Sequence, residues 1–123
     1  MAKEKKDYVK PANTFLDKGV VIRAQKLSGA ESVRIDGTFI GDIDLDGFLQ
    51  IGETGHVQGN VQVSYALIAG EVLGNILCRA TVHLASSAKV QGDITTGRII
   101  MEEGSVFYGH CKTRDDEPEI VVI

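Results

Sequence analysis

The chain has 123 residues, of which 43% are hydrophobic, and it carries a net charge of -4 at pH 7. That length predicts one soluble domain, and the negative charge excludes a nucleic-acid binder that depends on a basic stripe. Fourteen glycines, two prolines and no tryptophan favour short strands with tight corners over long helices. No stretch approaches the roughly 18 apolar residues of a membrane span, and the lysine-rich start lacks the apolar core of a signal peptide, so a cytoplasmic location is expected.

The first and last segments are expected to be tails around one central domain. Residues 1–18 form the predicted N-terminal tail, residues 19–113 the domain, and residues 114–123 the C-terminal tail. The apolar residues 120–123 form a partner-binding strand, an edge-covering segment or a loose end. The N-terminal tail either contacts the inner membrane surface or stays solvated, and the candidate lipid contacts are Lys3, Lys5, Lys6, Tyr8 and Lys10.

One short phrase occurs five times in the domain: an apolar residue, a spacer, a glycine, a polar residue and an apolar residue. Its glycines are separated by 18, 15, 18 and 17 residues, and such a regular period is typical of a stacked repeat protein rather than a globular enzyme. The copies are Phe39-Ile40-Gly41-Asp42-Ile43, Val57-Gln58-Gly59-Asn60-Val61, Val72-Leu73-Gly74-Asn75-Ile76, Val90-Gln91-Gly92-Asp93-Ile94 and Phe107-Tyr108-Gly109-His110-Cys111.

The repeats predict an all-β fold, a parallel β-helix (β-solenoid) of about six coils. Apolar residues alternate with polar ones around each glycine, and a second short strand recurs between the phrases, which leaves too little chain for crossover helices. Right-handed winding is favoured by the general handedness of parallel crossovers, although the period does not exclude a left-handed coil. The glycines are expected on the inward side at corners of the core, and they are Gly41, Gly59, Gly74, Gly92 and Gly109.

Six coils make a rod about 29 Å long with two open ends. Each end exposes unpaired backbone groups and a slice of core, and no helical cap is evident at either end. The ends therefore favour end-to-end stacking into filaments, with a capped monomer as the alternative. The predicted polymerisation interface consists of Val106, Phe107 and Tyr108 at one end and Val20, Ile22 and Phe39 at the other.

The sequence resembles the bactofilins, a family of small bacterial cytoskeletal proteins, over about residues 14–113. The resemblance rests on VRIDGTFIGDI at residues 33–43, on the recurring Val-Gln-Gly-Asn/Asp-Val/Ile, and on EGSVFYGHC at residues 103–111. It implies a right-handed parallel β-helix between disordered tails that polymerises without nucleotide into non-polar filaments, often on the inner membrane. It also implies a role in cell shape or as a scaffold for cell-wall enzymes and other proteins. An aromatic residue that supports polymerisation in the family corresponds best to Phe107.

The main alternative is an enzyme, a hexapeptide-repeat acyltransferase with a left-handed β-helix. Ile51, Val57 and Val63 follow one another at intervals of six residues, as such a repeat requires. The 15-residue step after Gly59 breaks the strict 18-residue turn of those enzymes, and no extended loop is available to hold a substrate. A structural, non-catalytic protein is therefore the preferred hypothesis.

Other polar residues are expected to be structural. The histidines recur every 27 residues, at different points of the coil, so neither a metal site nor a catalytic site is predicted, and no cofactor or nucleotide is expected. Cys78 and Cys111 lie in the apolar phase and are expected to be buried thiols. One repeat position predicts an outward polar column, formed by Asp42, Asn60, Asn75, Asp93 and His110.

Overall fold

A computed structural model describes residues 14–29 and 32–113, and the backbone of a last strand at residues 119–122. This described part of the chain forms fifteen strands and no helix, hence no helix long and apolar enough to cross a membrane. The strands are β1 (Thr14–Leu16), β2 (Val21–Ser28), β3 (Ser32–Ile35), β4 (Thr38–Asp44), β5 (Phe48–Ile51), β6 (His56–Gln58), β7 (Val61–Ile68), β8 (Glu71–Leu73), β9 (Ile76–Leu84), β10 (Lys89–Gln91), β11 (Ile94–Thr96), β12 (Arg98–Met101), β13 (Val106–Tyr108), β14 (Cys111–Thr113) and β15 (Glu119–Val122).

The strands wind into a parallel β-solenoid with three faces, and each strand pairs with the strand one coil away. Face A contains β1, β3, β5, the second halves of β7 and β9, β12 and β15. Face B contains the first halves of β2 and β4, then β6, β8, β10 and β13. Face C contains the second halves of β2 and β4, the first halves of β7 and β9, β11 and β14. The predicted parallel solenoid of about six coils is confirmed, and its right-handed winding stays a prediction.

The core is a narrow stack of aliphatic side chains, because alternate residues of each strand point into the coil. On face A, for example, Ile35, Ile51 and Ile68 follow one another in register and are all buried. Each such side chain contributes roughly 1.5 to 3 kcal/mol to folding. The hydroxyl of Thr96, which is buried in the core, is bonded to backbone: its Oγ1 donates to the carbonyl oxygen of Arg98 at 3.1 Å.

The uneven period arises at two of the three corners. Between faces A and B, β5 and β6 are separated by four residues, whereas β7 and β8 are separated by two. Between faces C and A, β7 bends at the single residue Ser64. The paired strand β9 bends over two residues, 79 and 80, which produces the register shift between Val63 and Tyr65. The 15-residue step from Gly59 to Gly74 is therefore accommodated by shorter corners, and the strands of all three faces stay in register.

Regular structure begins before the predicted domain and continues after it. β1 lies within the predicted N-terminal tail, pairs with β3 and buries Leu16. β15 lies within the predicted C-terminal tail and pairs with β12. Each of these strands is a single short addition to face A, so neither produces a repeat that the sequence pattern could show.

Candidate assembly surfaces

The corner between faces B and C is built on a column of five stacked glycines. Their φ angles lie between 141° and 147°, a region that residues with side chains rarely adopt. A Cβ atom on Gly74 would overlap the carbonyl oxygen of Gly59, and one on Gly59 would overlap that of Gly41. Glycine is required here because successive coils approach each other through their backbones. The members of the column are Gly41, Gly59, Gly74, Gly92 and Gly109.

Beside the glycines, one polar side chain per coil bonds to the next coil. Oδ1 of Asp42 accepts a hydrogen bond from the backbone N–H of Asn60 at 3.0 Å, and Oδ1 of Asn60 accepts from Asn75 at 3.2 Å. Asn75 accepts in the same way from Asp93 at 3.0 Å, and Asp93 accepts from His110 at 3.1 Å. These side chains satisfy backbone donors that the corner leaves unpaired. The polar ladder ends at the exposed His110.

The first coil does not continue the glycine column. The residue that faces Gly41 from the first coil is Ala24, and the register between β2 and β4 shifts between Arg23 and Lys26. The first corner therefore contains one more residue than the same corner of the second coil, and the residue that faces Gly41 carries a side chain. Another coil could not stack on this corner as the glycine corners stack on each other.

The N-terminal end of the solenoid is open and apolar. Within the described residues, β1 pairs only with β3 and β2 only with β4, so each strand has one outer edge. Val20, Val21, Ile22 and Phe15 are all exposed there, beside a hollow of about 160 Å³. Phe39, by contrast, is 2% exposed and lines the hollow from below.

Two of these apolar residues were not among the sequence candidates. Phe15 lies in β1, whose three residues are too few to show a pattern. Val21 pairs with Thr38 on the outer side of face B, and an apolar residue at an outward position is the sequence feature that could have identified it. Together with Val20 and Ile22 they form an exposed apolar surface at this end.

The C-terminal end is open on faces B and C. In the described part of the chain, β13 pairs only with β10, and β14 pairs only with β11. Phe107 is in register with the buried Val90 but is itself only half-buried, and Val106 is partly exposed too. Tyr108 points outward and is 69% exposed. The three residues predicted for this end thus form the last strand of face B.

The histidines of the solenoid lie in three separate places. His56 pairs with Glu71 at 3.0 Å and His83 pairs with Glu102 at 2.6 Å, both across neighbouring coils. His110 lies 3.5 Å from Asp93. Among the described residues, no group of three or more His, Cys, Asp or Glu side chains is placed to hold a metal ion. Two hollows of about 500 Å³ are open grooves along the outer surface.

The predicted lipid contacts are not part of the described structure. Lys3, Lys5, Lys6, Tyr8 and Lys10 all lie outside the described residues. The apolar run at residues 120–123 falls mostly within β15, where the backbone continues face A. Its pairing with β12 corresponds to the edge-covering alternative for this segment.

Comparison with known proteins identifies relatives over most of the chain. The family model for bactofilins, described as polymer-forming cytoskeletal, matches residues 14–112. The chain is 35% identical to bactofilin BacO of Myxococcus xanthus (strain DK1622) over 99 residues, which cover 80% of this chain and 78% of BacO. It is 32% identical to bactofilin BacP of the same organism over 106 residues, which cover 86% of this chain and 44% of BacP. No solved structure gives a significant match.

The fold defines an elongated parallel β-solenoid that exposes apolar side chains at its N-terminal end and leaves Phe107 half-buried at its C-terminal end. The chain belongs to the bactofilin family, which is described as polymer-forming and cytoskeletal. The resemblance found in the sequence is confirmed. The chain spans less than half the length of BacP.

Proposed function

We propose that this protein polymerises without nucleotide into filaments, through end-to-end stacking of its solenoids. The filaments would form a cytoplasmic scaffold that serves cell shape or cell-wall-associated processes and holds other proteins. Membership of a polymer-forming family supports self-association. The residues that we assign to the contact are Val106, Phe107 and Tyr108 at the C-terminal end and Val20 and Ile22 at the N-terminal end, with Phe39 below them.

The observation that carries the proposal is the open edge at β13 and β14. Within the described residues each strand has a partner on one side, so its outer backbone donors and acceptors can pair with another chain. Phe107 and Cys111 end the inward columns of these strands and are only half-buried. A second copy that covered them would bury apolar surface and pair the edge in the same contact.

The first corner favours contacts between like ends. In a head-to-tail stack, the corner at Ala24 of one copy would have to stack on Gly109 of the next, where the column requires glycine. Contacts between two N-terminal ends, or between two C-terminal ends, do not impose that match. They produce the non-polar filament that the family resemblance implies.

We also propose that the filaments contact the inner membrane through the N-terminal tail. The support is the clustering of Lys3, Lys5, Lys6 and Lys10 around Tyr8, because surface lysines are attracted to anionic lipid. Co-sedimentation with phosphatidylcholine vesicles, with and without phosphatidylglycerol, tests this. Binding of the full chain to the anionic vesicles should be lost when residues 1–13 are deleted, and unchanged binding would contradict the proposal.

Electron microscopy of negatively stained protein, without nucleotide or metal, tests polymerisation directly. We expect fibres from the unmodified chain and their loss in Phe107→Arg, because burying an unpaired charge in the contact costs several kcal/mol. Gln91→Arg is the matched control, since it adds the same charge at an exposed position of face B, one coil away from Phe107. Circular dichroism should show the same strand content in all three proteins.

The other outcomes are also informative. Fibres that persist in Phe107→Arg would overturn the contact through Phe107, because a contact between two N-terminal ends alone closes into a dimer. Monomers of the unmodified chain at tens of micromolar would overturn the filament and favour the capped monomer. A discrete trimer without fibres would instead favour the acyltransferase alternative.

A further inference from the structure

The C-terminal end of the solenoid is stepped rather than flat. β15 adds a seventh strand to face A, with Glu119 in register with Arg98 and Ile120 in register with Ile99. Within the described residues, faces B and C end with β13 and β14, their sixth strands. Face A therefore extends one strand spacing, about 4.8 Å, beyond the other two. This strand also lies outside the region that matches the bactofilin family, residues 14–112.

β15 covers one inward residue of face A at this end of the core. Ile99 in β12 points inward and is 1% exposed. Phe107 and Cys111 hold the corresponding inward positions in the last strands of faces B and C, and both are only half-buried. β15 thus covers Ile99, whereas Met101, the other inward residue of β12, is half-buried like Phe107 and Cys111.

The connection from β14 to β15 is longer than the connections from face C to face A that lead into the fourth, fifth and sixth coils. Those connections consist of one residue, as at Ser64 and Gly97, or of two, whereas five residues separate β14 from β15. The five are Arg-Asp-Asp-Glu-Pro, three of which are acidic. Five residues are enough chain for β15 to leave face A while the sixth coil stays wound, and the described backbone of β15 pairs with β12 over four residues.

The step prevents a close contact on the other two faces. If two C-terminal ends met with face A on face A while both copies kept β15 in place, two extra strands would lie between the copies on that face. On faces B and C, the last strands of the two copies would then be held about 10 Å further apart, the width of two strands. Phe107 of one copy could not then pack against the other copy, and the edges of β13 and β14 could not pair.

We propose that β15 is an intramolecular cap that must leave face A before two C-terminal ends can meet. Its departure exposes the edge of β12 and the side chain of Ile99, so that all three faces end at the same level. Assembly at this end is then set by competition between the chain's own strand and a second copy. The inference rests on the filament contact proposed above, and it adds a means by which that contact is restrained.

Three modified proteins test the cap against the unmodified chain. The first is truncated after Thr113. The second keeps the tail length but carries Ile120→Ser, Val121→Gly and Val122→Ser, which weakens the strand. The third carries Arg98→Cys and Glu119→Cys with Cys111→Ala, so that oxidation joins β15 to β12 at paired positions.

The measurement is the protein concentration at which half of the chain sediments as polymer. We expect it to fall about tenfold in the truncated and substituted proteins, which corresponds to about 1.4 kcal/mol. In the third protein it should rise on oxidation and fall again on reduction. The same protein serves as its own control, since only the disulfide changes.

The outcomes separate the cap from the filament itself. Unchanged or weaker assembly of the truncated chain, with fibres still formed by the unmodified chain, would overturn the cap and leave the filament in place. Absence of assembly in every protein, with folding intact, would overturn both proposals. Assembly of the oxidised third protein at the same concentration as the reduced one would also overturn the cap.

Discussion

The backbone N–H of Asn75 donates to Oδ1 of Asn60 at 3.2 Å, across the boundary between the third and fourth coils. The step between these residues is 15, yet Asp93 donates to Asn75 across a step of 18 with nearly the same distance, 3.0 Å. From the second coil onward the corner between faces B and C is therefore constant, while the other two corners take up the variation in coil length. The glycine column and the polar ladder together keep the coils in register at this one corner.

The ladder predicts a small, specific loss of stability in Asn60→Ala. This change removes the acceptor for the N–H of Asn75, and a lost hydrogen bond of this kind costs about 0.5 to 1.5 kcal/mol. Thermal unfolding should show a melting temperature a few degrees lower. Gln58→Ala, at an exposed position two residues away, is the control and should leave the melting temperature unchanged. Asn60→Asp keeps the acceptor oxygen, so a drop as large as that of Asn60→Ala would contradict the assignment.

The glycine column predicts a much larger effect of Gly74→Ala. The added Cβ would overlap the carbonyl oxygen of Gly59, and the φ of 143° is itself unfavourable for alanine. We expect a loss above about 3 kcal/mol in the free energy of unfolding, measured by urea denaturation. Gly19→Ala is the matched control, because Gly19 also has a positive φ, 86°, but open space where the Cβ would lie. Equal losses in the two variants would show that backbone strain alone, and not the contact with Gly59, accounts for the effect.

The elements of the fold that could be predicted from the sequence are those that repeat along the chain. The phrase glycines recur five times with alternating apolar residues, which is enough to predict the strands, the coils and the inward residues. β1 and β15 are single additions with no repeat, so their pairing depends on contacts that no sequence pattern contains.

Phe39, which was predicted for the interface, illustrates the same point, because the coil that covers it does not carry the repeat. Ile22 in β2 pairs with Phe39 and covers it. The first corner has Ala24 and a register shift instead of the glycine phrase, so the sequence did not show that a complete coil precedes Phe39. The end of the stack could be located only from the strand pairing.

Contacts between like ends predict that blocking one end leaves dimers. Ile22→Glu places a charge at the apolar N-terminal end, so contacts between C-terminal ends should remain and sedimentation velocity should show a dimer. Phe107→Arg should likewise leave a dimer held by N-terminal ends, and the double variant should be a monomer. Arg23→Glu, next to Ile22 on the outer side, is the control for added negative charge. In a head-to-tail filament either single variant would be a monomer and an equal mixture of the two would form dimers, an outcome that would contradict contacts between like ends.

The two thiols predict an order of chemical labelling that reports on the C-terminal end. Burial raises the pKa of both Cys78 and Cys111 above the usual 9.0, but Cys78 is fully buried and Cys111 only partly. The thiolate is the reactive form, so labelling of Cys111 by a maleimide should accelerate from pH 7 to pH 9, since its pKa lies above that range. Cys78 should react only when the chain is unfolded in urea, and Cys111→Ala should remove the reaction of the folded chain.

Assembly should protect Cys111, because its side chain ends an inward column at the face that we assign to the contact between copies. The rate of labelling should therefore fall when the protein concentration is raised into the range where fibres form, and it should not fall in Phe107→Arg. A rate that is independent of concentration in the unmodified chain, while fibres are present, would show that the C-terminal end stays open in the filament. The contact would then have to use the N-terminal end or the outer faces, where Cys111 does not lie.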